Sequence, residues 1–403
     1  MTRPLIKRLL ISSTLAFACL QFAAVGFAAN EADVDQIIAF DVTKLTGLKA
    51  RPEQIKSLHT KFVDAQGVLD EHALFEKILT SDIFVDGRLA TFVSRMSNEE
   101  QEPFEDVDDY QAALLLNIMS GADMRGLFAQ YFAIARKDEE TPQTPSLETF
   151  RLLAGNIKAH SDIPKNYHLV TIDPKAPNKT GYYEGLFTTE GFGLRYIKAG
   201  TNRRTIRAIF DIFLCSKIET WKDASLDPYY IGQDVDRKPG GRAENFQTNC
   251  RACHAPMDAM RGAFAYHDFD PMKSQVTKSD KVVPKYNQNA TVFPANQGGF
   301  ETLDSEWENL LTSPENRARF GWRGKTSGRG VLQLSKMIAN SEKFQTCMSQ
   351  KVIATFCDKT PTEVANLSTS PEFKKIADDF RTKKYQVKAL IEETVRSNLC
   401  HKN

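Results

Sequence analysis

The sequence predicts a mainly α-helical fold. Three observations carry that expectation: apolar residues recur at three- and four-residue spacing through most of the chain, strand patterns are sparse, and prolines and glycines fall where helices begin and end. Of 403 residues, 41% are hydrophobic and 26% charged, the composition of an ordinary folded protein. At about 150 residues per domain, the length accommodates two or three units.

Residues 1–29 read differently from the rest. Arg3, Lys7 and Arg8 precede an apolar run at 9–20, and Ala28 and Ala29 supply small residues for cleavage, the pattern of a secretory signal removed on export. A retained membrane anchor competes with this reading, but the run is shorter than the ~20 residues a span needs. Cys19 follows Ala16, Phe17 and Ala18, a poor lipobox. Export implies a periplasmic protein with no stable membrane span once the signal is gone. Taking three basic residues from 52 leaves 49 against 51 acidic ones, a net charge of −2. Basic clusters such as Arg203, Arg204 and Arg207 read as solvated helix faces, so no nucleic-acid partner is expected.

The helices follow in order. Pro52 suits a first turn and leads into Ile55, Leu58 and Phe62 at helical spacing. Segments 72–79 and 83–96 continue the pattern. Acidic residues at 106–109 open a helix whose apolar body spans 112–119, and Gly121 closes it. The stretch 136–146, with Pro142 and Pro145, reads as an exposed connection, and 150–157 as helical. Four breakers make 162–183 irregular, although 169–172 is the best strand pattern in the chain. Residues 201–221 form the strongest helix of the middle region, with Ile206, Ile209, Phe210, Phe213, Leu214 and Ile218 in one apolar stripe. Ordinary core packing accounts for that stripe. Residues 223–249 and 268–300 read as irregular, and 330–357 and 372–399 as helices, the last begun by Pro371.

Cleavage leaves six of seven cysteines: Cys215, Cys250, Cys253, Cys347, Cys357 and Cys400. Cys250, Arg251, Ala252, Cys253 and His254 spell C-x-x-C-H, the attachment motif for a c-type haem. Two thiols about one helical turn apart reach the two vinyl groups of a porphyrin, and the next residue sets an imidazole beneath the iron as proximal ligand. A thioredoxin-like dithiol would need a strand before the motif, and a structural zinc site a second pair of ligands. Neither accompanies it here. The expected cofactor is therefore one covalent haem c per chain, held by Cys250 and Cys253 with His254 on the iron. The other four cysteines make two disulfides in an oxidising compartment. Cys347 and Cys357 stand about 280° apart around a helix and share no face. One of them is expected to join Cys400 and the other Cys215.

The run FQTNCRACHAPMDAMRGAFAYHDFD from Phe246 resembles the haem segment of a poorly characterised family of bacterial monohaem c-type cytochromes, found in planctomycetes, myxobacteria and predatory bacteria. In that family C-x-x-C-H is followed by a Met-Asp pair, a glycine, a short aromatic-rich helix and a Phe-Asp pair. Met257, Asp258, Gly262, Phe264, Phe269 and Asp270 stand at those places. The likeness extends upstream through KLTG at 44–47, 112–128 and 234–241, and downstream over 330–398. It implies haem binding and electron transfer, and no particular substrate. The expected layout is a helical N-terminal domain at 30–210, a haem-binding segment at 211–330 and a C-terminal helical domain at 331–403. Together the last two form a cytochrome c-like helical haem domain.

The sixth ligand of the iron decides between a carrier and an open catalyst. Candidates are Met257, Met260, His267, Met272, Met337 and Met348. Met257 and Met260 lie on the His254 side of the porphyrin, so Met337 and His267 lead. Phe246, Phe264, Tyr266 and Phe269 are placed to cover the porphyrin or simply to fill the core. Asp234, Asp236, Arg237 and Lys238 reach the propionates or form a solvated loop. The expected function is electron transfer with a redox partner protein. A haem-dependent oxidoreductase with an open distal site is the alternative, and a redox-sensing interaction protein a third. No H-E-x-x-H, G-x-S-x-G or P-loop motif names a reaction.

Overall fold

The computed structural model describes residues 31–98, 107–137, 157, 159–173, 175, 182–232, 246–287 and 300–401. The expected signal at 1–29, the loop at 234–241 and the helix at 150–157, Ile157 apart, lie outside them. The described chain is mainly helical, as the apolar spacing predicts.

Local sequence sets the helix ends. Pro52 occupies the first turn of Pro52–Phe62. Asp70 caps Glu71–Leu79 by accepting from the Ala73 N–H, and Asp108 caps Asp109–Ser120 by accepting from Gln111, each satisfying a donor that the first turn leaves open. Gly121 ends the latter helix at φ +66°, the left-handed conformation that glycine adopts without a Cβ penalty. Thr360 and Glu363 form a reciprocal capping box, and Ser370 caps Pro371–Thr382.

The expected helix at 201–221 is broken. Helix Arg203–Leu214 buries Ile206, Ile209, Phe210, Phe213 and Leu214, but Cys215 turns left-handed at φ +45° and a separate turn, Ile218–Trp221, follows. Cys215 is disulfide-bonded to Cys347, with Cα atoms 5.4 Å apart, and the left-handed residue at the helix end is where the chain departs to meet it. Cys357 bonds Cys400 at 4.7 Å. Both pairs fit the expected pairing pattern.

Strand Tyr131–Arg136 is central in a three-stranded antiparallel sheet, paired with Tyr167–Ile172 and Tyr183–Glu184. A small hairpin joins His267–Asp270 to Gln275–Lys278, and Glu306–Glu308 pairs antiparallel with Ser327–Arg329 across a connection that carries helix Pro314–Phe320. The hairpin lies in a segment expected to be irregular. Its four-residue strands are too short to register against helical or loop patterns.

One apolar core runs from Val34 to Cys400 and draws on all three expected segments. Helix Glu342–Phe356 packs against Arg203–Leu214, Ala90–Ser97, Pro371–Thr382 and Val387–Arg396. Phe128 meets Phe187, Phe213 and Phe344 edge-on at 5.0–5.4 Å. Phe84 and Phe92 of the N-terminal helices pack on Phe356, and Lys388 pairs with Glu76 at 2.6 Å. No described helix is long and apolar enough to cross a membrane.

The disulfides close loops of 132 and 43 residues in sequence. Restricting the unfolded chain over such spans contributes on the order of 4–5 kcal/mol each. Replacing Cys215 and Cys347 together by Ala is expected to cost at least about 2 kcal/mol in denaturant unfolding, and an unchanged midpoint would remove the bond from the stability of the fold.

Candidate haem-attachment site

The motif opens helix Arg251–Arg261, which continues from a π-helical turn at Phe246–Cys250. Its later turns, from Ala255 to Arg261, are buried on all sides, whereas Cys250, Cys253 and His254 are half-buried at its N-terminal end. Sequence order therefore becomes a spatial division: the motif's cysteines and histidine lie at the half-buried end and the anchoring residues in the buried turns.

Pro256 lies inside this helix. Lacking an N–H, it cannot bond the carbonyl of Ala252 one turn earlier. That carbonyl instead accepts from the Asp223 N–H at 2.9 Å, and the Arg251 guanidinium donates to the Leu226 carbonyl at 2.7 Å. The Gly232 N–H reaches Asp258 at 3.3 Å. Segment 223–232 is thus strapped along the motif helix by three polar contacts that its irregular sequence gave no reason to expect.

Asp258 is the centre of the anchoring face. Its side chain is fully buried, the Arg203 guanidinium grips both carboxylate oxygens, one at 2.8 Å, and Arg261 Nε stands 3.4 Å away. Burial opposes charge on this carboxyl, but Arg203 and Arg261 outweigh burial and hold it well below the usual carboxylate range. Arg261 is itself 1% exposed, donates to the Thr201 carbonyl and lies over the Tyr286 ring at 4.7 Å. Arg203, expected on a solvated face, is turned inward because a buried carboxylate requires a partner. Gly262 ends the helix where a Cβ would fall 2.1 Å from the Glu306 carbonyl, so strand Glu306–Glu308 approaches as closely as it does because glycine is there.

His254 sits one turn before Asp258, with Nδ1 3.9 Å from Asp258 Oδ2. Cys250 and Cys253 keep their thiols while the other four described cysteines are bonded in pairs. Burial pushes the Cys253 thiol up, Glu219 and Cys250 add to it, and Lys222 opposes. Among the described residues no three His, Cys, Asp or Glu side chains converge on one point. The donor set fits a haem c: two thiols a helical turn apart, an adjacent imidazole, and a carboxylate behind that imidazole.

The remaining candidates lie apart from this set. Met337 is 3% exposed and its Sδ accepts from Asn309 Nδ2 at 3.5 Å. His267 is 3% exposed and its Nε2 meets Glu184 at 3.2 Å, while Nδ1 is buried without a hydrogen-bond partner. Met348 is buried in the core, and Met272 is 92% exposed on a hairpin turn. Phe264 and Phe269 are buried and Tyr266 half-buried. The Phe246 side chain and residues 234–238 lie outside the described residues. A cavity of about 900 Å³ lined by Asn117, Arg125, His168 and Lys336 includes no residue of the motif.

Compared with family models, curated proteins and solved structures, the chain matches none.

Glu184 also receives Lys278 at 2.6 Å. Burial would raise its carboxyl, but His267 and Lys278 prevail and hold it at about 2, against an ordinary 4.5. A depressed carboxyl stabilises the fold above its unfolded value, and this contribution disappears as pH falls from about 4.5 through about 2. Glu184→Gln is therefore expected to cost about 2–3 kcal/mol at pH 7 and almost nothing near pH 2. A gap between variant and wild type that persists at pH 2 would contradict this.

Proposed function

We propose that the protein is an exported c-type cytochrome that carries one haem on Cys250 and Cys253, with His254 as proximal ligand, and transfers electrons in the periplasm. One observation carries the reading: the disulfides take four cysteines and leave Cys250 and Cys253 as thiols, half-buried beside His254 on an anchored helix. A bound haem c supplies a one-electron couple of its iron. The chain's own residues do the rest: the thiols fasten, the imidazole ligates, and the 223–232 strap fixes the helix that presents them. The monohaem family likeness supports the same reading. A redox partner protein is part of it, because a carrier needs a donor and an acceptor.

A second reading, a haem-dependent oxidoreductase with an open distal position, is favoured by the Met337 thioether bonded to Asn309 and the His267 Nε2 committed to Glu184. Each contact leaves one lone pair uncommitted, on the Met337 sulfur and on His267 Nδ1, so ligation by either would return the iron to the carrier reading.

Optical spectra of protein made with cytochrome maturation separate these readings. The pyridine haemochrome of wild type is expected to be of c type, and Cys253→Ala to shift its α band by loss of one thioether. Cys250→Ala together with Cys253→Ala is expected to abolish covalent haem. Unaltered spectra in these variants would end the attachment assignment. Rapid CO binding by the ferrous wild type identifies the open site, and its absence the carrier.

A further inference from the structure

Asp258 does more than anchor the motif helix. Three features set it apart from an ordinary buried carboxylate: it lies one turn after the proposed iron ligand on the same helix, it faces that ligand's Nδ1 at 3.9 Å, and it is gripped by a guanidinium with its side chain wholly removed from solvent. Among the described residues, two guanidiniums and one imidazole stand against it. Arg203 comes from helix Arg203–Leu214, and His254 and Arg261 from its own helix. The Gly232 N–H adds a backbone donor from the strap. Oδ2, the oxygen towards His254, takes Arg203 and Gly232; Oδ1 takes Arg203 and Arg261. The carboxylate cannot rotate away from the histidine without giving up these donors.

A histidine that ligates iron through Nε2 presents Nδ1–H on its far side, and what accepts that proton fixes the ring's tautomer and orientation and its electron donation to the metal. A backbone carbonyl accepts weakly. A carboxylate accepts a charge-assisted bond about twice as strong. Negative charge behind the imidazole favours the more positive ferric iron over the ferrous.

Resting on the haem reading above, we propose that Asp258 is the positioning residue of the proximal histidine: its carboxylate, clamped by Arg203 and Arg261, accepts the Nδ1–H of His254 and holds the haem at a low reduction potential. Arg203 and Arg261 serve this role by keeping the carboxylate fixed, so the buried cluster joins fold stability to redox tuning.

The test uses covalently loaded protein, with haem attachment verified first by haemochrome. Asp258→Asn keeps the shape and removes the charge. Its midpoint potential is expected to rise, favouring the ferrous form by about tenfold or more, which is about 59 mV for a one-electron couple. Asp258→Glu keeps the charge and is expected to recover part of that shift. A carboxylate that only holds the helix in place predicts lower stability in both variants with an unmoved potential, and that result overturns the assignment. Removing one charge opposite two guanidiniums can prevent Asp258→Asn from folding, so the wild-type holoprotein supplies a second readout. Its crystal structure is expected to show Nδ1 within about 3 Å of Asp258. Nδ1 bonded to a backbone carbonyl overturns the proposal even with haem attached, whereas wild type lacking covalent haem removes the functional reading as well.

Discussion

A single buried carboxylate organises the site. Asp258 joins the motif helix to the start of helix Arg203–Leu214 through Arg203, and to its own last turn through Arg261. An ionised group without solvent is tolerable only when its partners surround it, and removing one partner of such a pair costs several kcal/mol. The two helices therefore hold a fixed relation at this point. Around the contact the polar core is closed further: Asn202 donates to the Phe264 carbonyl and the Tyr286 hydroxyl, and that hydroxyl donates to the Arg261 carbonyl.

From this anchor the rest of the site follows. The helix is buried over its last two turns, around Asp258, and half-buried at its N-terminal end, where Cys250, Cys253 and His254 stand. Pro256 then contributes a second constraint by opening the Ala252 carbonyl to Asp223. Polar contacts with so irregular a segment would normally be fleeting. Here the backbone bond, the Arg251 bonds to Leu226 and the Gly232 contact with Asp258 share the ordering cost along one strap. At the far end Gly262 lets strand Glu306–Glu308 close over the helix.

Chemistry written in local spacing was legible in the sequence, and chemistry assembled across the chain was not. C-x-x-C-H is a five-residue pattern, and the capping and breaking residues Pro52, Asp108, Gly121 and Pro371 act within a turn of where they stand. Helix geometry set aside a Cys347–Cys357 bond and left two pairings open, one of which forms. By contrast, Arg203 and Asp258 are 55 residues apart, and nothing near Arg203 distinguishes it from Arg204, which lies over the Tyr196 ring instead. The unbroken apolar stripe of 201–221 concealed the turn at Cys215, because a left-handed residue demanded by a distant cysteine leaves no mark on periodicity. Strand Tyr131–Arg136 was missed for a similar reason: its apolar run is short, and only pairing with Tyr167–Ile172 and Tyr183–Glu184 makes it a strand. A sixth iron ligand is a matter of tertiary position, and Met337 and His267 were named from order in the chain alone.

The central claim is covalent: two sulfurs fasten a porphyrin to this chain. Purifying the protein from cells with working cytochrome maturation, extracting it with acidified acetone and weighing the intact polypeptide tests that directly. The account predicts the mass of the processed chain with both disulfides plus one haem, retained through the extraction. A mass equal to the bare polypeptide would contradict it.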